Sequence, residues 1–161
     1  MTRRMMTIER TFNAAIEDVW TLWTTAEGIE SWWGPDGFRV KVQKLELRAG
    51  GAFHYDMIAA APEQISFMKK AGMPLSNATR ATFTEVAPPR RLAIKHLVDF
   101  VPGVEPYETS TIMELAAHGA DTRLTLTLET MHDEQWTKMA VMGWESQLGK
   151  LVQALAQKKS A

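Results

Sequence analysis

Residues 122–157, TRLTLTLETMHDEQWTKMAVMGWESQLGKLVQALAQ, change from a strand pattern to a helix pattern within one stretch of sequence. In the first part, three leucines alternate with threonines, which predicts a strand covered on one face only. From about Asp133 to Gln157, apolar residues recur every three to four positions instead, as in a helix with one buried side. The stretch therefore predicts a long C-terminal helix that directly follows the last strand.

Upstream of this stretch, apolar and polar residues alternate in several further segments, which are separated by turn residues. This pattern predicts antiparallel strands. A phase slip near Gln43-Lys44 predicts a β-bulge. Two short helices are predicted after the first strand, and a third between Pro62 and Gly72. Helices at the ends of a run of strands predict an α+β fold, in which a curved antiparallel sheet of about seven strands packs against the C-terminal helix. We expect one domain over residues 1–161.

The composition is that of an ordinary globular domain and excludes several classes of function. The 161 residues are 45% hydrophobic and 23% charged, with 18 basic residues against 19 acidic ones. A net charge of -1 gives no bulk attraction to nucleic acid or to an anionic membrane. The absence of cysteine excludes a disulfide scaffold and thiol catalysis. No signal peptide or membrane-spanning segment is visible, so a cytoplasmic location is expected.

Five short pieces of sequence stand out in this order along the chain. They are Ile8-Glu9-Arg10-Thr11-Phe12 with Val19-Trp20, Trp32-Trp33-Gly34-Pro35, Gly50-Gly51-Ala52-Phe53, the stretch from Phe83 to Leu92, and Gly143-Trp144 with Leu148 and Leu151. Together they resemble the START-like helix-grip (SRPBCC) superfamily, and within it the proteins similar to the C-terminal domain of the activator of Hsp90 ATPase homologue 1. The resemblance covers nearly the whole chain.

The resemblance implies a seven-stranded sheet that grips the C-terminal helix, with a cavity between helix and sheet that often holds a hydrophobic ligand. It does not imply one activity, because the superfamily includes lipid and hormone binders, aromatase/cyclases and oxygenase domains. The segment from Pro62 to Gly72 is an insertion relative to the simplest family pattern, and it is a candidate cover for a pocket mouth. The larger domain that accompanies this module in eukaryotic Hsp90 activators does not appear in this sequence.

Nine residues are candidates for the lining of such a cavity. His96 shares its strand parity with three apolar residues, which places it on the covered face as a buried structural histidine, a polar anchor or a general base. An apolar space with a few polar groups is typical of a ligand pocket. Trp32 and Trp33, in a Gly-Pro loop, are interpreted either as a pocket rim or as a loop anchor. The predicted ligand-binding residues are Trp32, Trp33, Phe53, Tyr55, His96, Tyr107, Met113, Trp136 and Met139.

The function predicted from these residues is the binding of a small hydrophobic or aromatic molecule, without a cofactor or a metal. One alternative is an enzyme of cyclase or hydrolase type that uses His96 or Tyr107 for proton transfer. Another is a protein-interaction or chaperone-partner module. Glu129, His132, Asp133 and Glu134 cluster where the last strand meets the helix. They are interpreted either as helix capping or as an acid or base at His132 that a carboxylate supports. The ligand, the occurrence of a reaction and a homodimer stay open.

Overall fold

The structure, a computed structural model, describes residues 4–99 and 101–160. As the sequence predicted, it is an α+β fold with an antiparallel sheet and a long C-terminal helix. The elements in chain order are β1 (Met5–Phe12), α1 (Ile16–Thr24), α2 (Ala26–Glu30), β2 (Phe38–Leu45), β3 (Ala52–Ala59), α3 (Pro62–Lys70), β4 (Ser76–Ala87), β5 (Arg91–Val98), β6 (Tyr107–His118), β7 (Asp121–Glu129) and α4 (Glu134–Ser160).

The seven strands form one sheet in the order β1-β7-β6-β5-β4-β3-β2. Five of the six pairings join strands that follow each other in sequence, and the sixth brings β1 beside β7. The register between β2 and β3 shifts between Val42 and Lys44, which confirms the predicted bulge. Such a bulge strengthens the local twist and helps the sheet to curve.

The inner face of the sheet and the helices share one hydrophobic core. The alternating leucines of β7 are the clearest case, since Leu124 and Leu126 are fully buried while Thr125 and Thr127, on the other parity, are partly exposed. On α4, Leu148 and Leu151 point into the same core. The apolar side chains that recur every two residues in β7 and about every 3.6 residues in α4 therefore pack in the same core, as the sequence pattern predicted.

Four tryptophans form a cluster at the centre of this core. Trp33 has ring centroids within 5.3 Å of Trp23, Trp32 and Trp144, and its edge also meets Phe53. Trp32 and Trp33 are 0% and 2% exposed. Both residues are therefore buried in the core, a position that agrees with a loop anchor rather than with an exposed rim. Glycine and proline around them allow the loop to turn both indoles inward, where they bury large apolar area.

Helix α4 holds the tryptophan loop through polar contacts in its second half. The Gly34 amide donates to Gln147 Oε1 at 2.9 Å, and Lys150 Nζ donates to the carbonyl oxygens of Gly34 and Phe38. Burial lowers the pKa of Lys150, and the nearby Asp36 carboxylate opposes that shift. These bonds satisfy backbone groups that the irregular loop leaves without sheet or helix partners.

The connections from β3 to β4, from β5 to β6 and from β7 to α4 all lie at one end of the sheet. Strands β3, β5 and β7 finish there, and β4 and β6 begin there, as the pairings Ile58↔Ser76 and Val98↔Tyr107 show. Helix α3 bridges β3 to β4 at this end, where the insertion was predicted. Helix α4 also begins here, directly after β7. We call this the α3 end of the sheet.

Candidate functional site

The inner face of the sheet is sealed in its middle and becomes accessible toward the α3 end. Along β6, Met113 is 1% exposed, whereas Thr109 and Tyr107 are half-buried. Helix α4 shows the same trend, from Leu148 at 1% exposed to the half-buried Trp144 nearer its start. The gradient occurs on both β6 and α4, so the inner face is less completely covered toward the α3 end. We call the half-buried part of that face, at His96, Tyr107 and Thr109, the opening.

His96 lies on the inner face within this opening. It pairs in register with Ala81 on β4 and with Thr109 on β6, so its ring stands among neighbours that are small or hydroxylated. Within the described residues, no hydrogen bond meets the His96 ring. In the same residues, Trp23 Nε1 is the one fully buried side-chain polar atom without a partner. The His96 nitrogens are therefore unpaired and keep accessible surface.

The protonation state of His96 follows from its surroundings. Burial lowers the pKa of His96 to about 4, because the charged imidazolium would lose hydration without gaining an ionic partner. The ring is therefore neutral at physiological pH, with one nitrogen as a donor and the other as an acceptor.

This burial predicts a pH dependence of stability. The pKa of His96 is about 4 when folded and about 6.5 when unfolded, so the unfolded chain takes up the proton first on acidification. The stabilisation is complete above about pH 6.5 and is lost as the pH falls toward 4. We expect a loss of about 2 kcal/mol relative to His96→Leu in urea unfolding, after allowance for the partial exposure of the ring. Parallel pH profiles of the two proteins would contradict the burial of His96.

Tyr107 and His132 form a second polar feature at the α3 end. Tyr107 Oη lies 2.6 Å from His132 Nδ1, and the His132 backbone N–H donates to the same oxygen at 3.1 Å. His132 Nε2 is 3.7 Å from Asp133 Oδ2. Asp133 also caps α4, since its Oδ1 accepts from the Trp136 amide at 2.8 Å. Asp133 therefore caps α4, whereas His132 contacts Tyr107.

The nine candidate lining residues fall into three groups in the structure. Trp32, Trp33, Phe53, Tyr55 and Met113 are 0–4% exposed and belong to the packed core. Burial raises the pKa of Tyr55 to about 12, against its hydrogen bonds with Trp33 and Thr79. Half-buried positions near the opening hold His96, Tyr107 and Trp136, whose ring lies 5.7 Å from that of His132. Met139 is 52% exposed, so much of its side chain faces solvent.

The sequence analysis did not identify a groove beside the edge strand β1. Its volume is about 610 Å³, and it runs between β1 and the first half of α4. The pattern of β1 predicted a strand but not its place at the sheet edge, where Met6 stays partly exposed. Residues that line the groove include Arg4, Met6, Met131, Lys138, Val141 and Met142.

Among residues 4–99 and 101–160, no three histidine or acidic side chains come close enough together to hold a metal ion. In the same part of the chain, no helix carries an apolar stretch long enough to cross a membrane.

Solved structures share this fold across almost their full lengths. The crystal structure of a protein from Chromobacterium violaceum has a TM-score of 0.77 at 22% identity, covering 94% of this chain and 96% of that one. A solution structure from Arthrobacter aurescens has a TM-score of 0.75 at 23% identity, covering 95% and 86%. The AHSA1 protein from Silicibacter pomeroyi has a TM-score of 0.76 at 21% identity, covering 96% and 99%. At such identities, these likenesses concern the fold alone.

A match to a protein family extends over most of the chain. No curated protein matches the sequence. The family described as "Activator of Hsp90 ATPase homolog 1-like protein" matches residues 13–156, from the end of β1 to the last turns of α4. This range includes the tryptophan loop, strands β2 to β7 and most of α4. The chain therefore belongs to the family of activator of Hsp90 ATPase homolog 1-like proteins, with the helix-grip fold.

Proposed function

We propose that this protein binds a small, uncharged, mainly apolar molecule between the sheet and α4 at the α3 end. The observation that carries the proposal is His96, a neutral imidazole on the inner face that has no hydrogen-bond partner among the described residues and keeps accessible surface. A polar group left unpaired in an apolar setting costs stability, so a ligand that pairs with it gains affinity and selectivity.

The surroundings of His96 indicate what kind of ligand would fit. The inner face beside it is apolar, with a threonine hydroxyl in register at Thr109. The imidazole stays uncharged, because the pKa of His96 is about 4, and it therefore offers no strong attraction to a carboxylate. An aromatic or alicyclic molecule with one hydroxyl or carbonyl group matches this combination of an apolar wall and a neutral polar anchor.

A matched pair of probes tests the proposal. 2-Naphthol and naphthalene have the same ring system and differ by one hydroxyl, so their affinity ratio measures the anchor. We expect wild-type protein to prefer 2-naphthol by about tenfold, as for one net hydrogen bond, in competition against the neutral dye N-phenyl-1-naphthylamine. His96→Leu should bind both probes with similar affinity, because the apolar wall remains and the anchor is gone.

The control is His118→Leu, which alters an exposed histidine at the end of β6. That variant should keep the wild-type preference for 2-naphthol. If the wild type binds neither probe nor the dye, the opening is not a ligand site. If the preference survives in His96→Leu, another group holds the hydroxyl and His96 is not the anchor.

A further inference from the structure

Tyr107 Oη has two contacts with His132. The His132 backbone amide can only donate, so Tyr107 Oη accepts at that contact of 3.1 Å. Tyr107 Oη also lies 2.6 Å from His132 Nδ1, and the tautomer of the imidazole decides which of the two atoms donates. In the tautomer with its hydrogen on Nε2, the nitrogen nearer the Asp133 carboxylate, Nδ1 is the acceptor and receives the phenol hydrogen.

Asp133 stands on the other side of the same imidazole. Its Oδ2 lies 3.7 Å from Nε2, which is too long for a strong hydrogen bond but favourable once the ring becomes positively charged. The Asp133 side chain is 53% exposed and that of His132 is 17% exposed. The order of groups is therefore a half-buried phenol, an enclosed imidazole and a carboxylate at the surface, the arrangement by which an adjacent base activates a hydroxyl.

The phenol is also a neighbour of the proposed ligand site. Tyr107 and Thr109 lie on the same face of β6, and Thr109 is the register partner of His96 on β5. Diagonal neighbours of this kind have their Cα atoms about 7 Å apart. At that spacing, the side chains of His96 and Tyr107 are neighbours on the inner face and within reach of one ligand.

From this geometry we propose that Tyr107, His132 and Asp133 form a proton relay that makes Tyr107 a general base toward an apolar molecule bearing a carbonyl group. The Tyr107 oxygen takes a proton from the carbon next to the carbonyl while its own proton passes to His132 Nδ1. The C–H electron pair moves into the ligand as an enolate, whose oxygen accepts a hydrogen bond from His96. Return of the proton at another position completes an isomerisation, and no co-reactant is needed.

The activation of Tyr107 can be measured without the natural substrate. Benzenesulfonyl fluoride reacts with a phenol when the oxygen attacks sulfur, the S–F bond breaks, fluoride leaves, and the phenol proton goes to a base. The chain has two tyrosines, and Tyr55 is 4% exposed, so it serves as an internal control. We expect peptide mass spectrometry to find the adduct on Tyr107, formed faster than on either tyrosine of the urea-unfolded chain.

The decisive variant is His132→Asn, whose amide oxygen can accept the Tyr107 hydrogen bond in place of Nδ1 but cannot take up the proton. Its labelling should fall on the order of 10²-fold at an unchanged unfolding midpoint. Asp133→Asn keeps a capping side chain and should reduce labelling only about threefold, because Asp133 is exposed. Equal labelling of wild type and His132→Asn would overturn the relay. The contact between Tyr107 and His132 would then only link β6 to the segment before α4.

The assignment of a carbonyl-bearing substrate depends on the proposed ligand site, but the proton relay does not. Labelling of Tyr107 that depends on His132, in a protein that binds neither naphthol nor naphthalene, would support the relay and refute the ligand proposal. Naphthol binding in a protein whose folded state leaves Tyr107 no more reactive than in the unfolded chain would support the ligand proposal and refute the relay.

Discussion

Trp33→Ala should lower the free energy of unfolding by about 3–5 kcal/mol, the range for removal of a buried tryptophan. Trp33 is 2% exposed and joins three parts of the fold, because its ring meets Trp23 of α1, Phe53 of β3 and Trp144 of α4. Removing the indole leaves a cavity at the point where these elements meet, and the surrounding rings are too large to rearrange into it. Urea unfolding followed by far-UV circular dichroism measures the loss without relying on tryptophan fluorescence.

Trp33→Phe is the matched control, since it keeps an aromatic ring and removes part of the volume. We expect it to lose about 1–2 kcal/mol, less than the alanine variant. A loss below about 1 kcal/mol for Trp33→Ala would show that the core collapses around the gap and that the tryptophan cluster does not hold loop, sheet and helix together.

Gly51→Ala should destabilise the protein by about 3 kcal/mol or more, through overpacking rather than a cavity. A Cβ at this position would lie 2.0 Å from the Glu46 carbonyl oxygen and 2.9 Å from that of Arg48. Both obstacles are backbone atoms, so no side chain can move aside. The turn itself is fixed, because the Phe83 amide donates to the Gly51 carbonyl at 2.9 Å. Chemical unfolding of the purified variant measures the effect.

The neighbouring glycine is the control because its requirement has a different cause. Gly50 has φ of +84° and nothing within 4 Å of an added Cβ. Gly50→Ala should therefore cost only the strain of a left-handed conformation, about 1–2 kcal/mol. If the two variants are equally stable, the close approach at Gly51 is relieved by a backbone shift and the turn is softer than its hydrogen bonds indicate.

Local patterns in the sequence were sufficient to predict the elements of the fold. The leucine–threonine alternation in β7 and the apolar stripe of α4 predicted a strand and a helix, and both are present. The phase slip near Gln43 predicted the bulge in β2, because a one-residue insertion must move side chains to the other face. These predictions succeed because periodicity depends on neighbours in sequence.

The candidate site was predicted only in part. Parity placed His96 on the inner face, and the structure confirms that position. Parity could not show that Trp32 and Trp33 turn inward, because a loop has no fixed period and their direction depends on contacts with Gln147 and Lys150, more than 100 residues away. The pairing of Tyr107 with His132 was missed for the same reason, since 25 residues separate them.

The strands, the helices, their order and the family resemblance could thus be predicted from the chain alone, since each depends on local periodicity or on short motifs. Which tryptophans fill the core, which part of the inner face is half-buried, and which groups meet Tyr107 depend on the folded structure. Those features depend on distances between residues that are remote in the chain, and a difference of an ångström or two separates a hydrogen bond from no contact. Only the folded chain, in which β6, β7 and α4 converge at one end of the sheet, sets those distances.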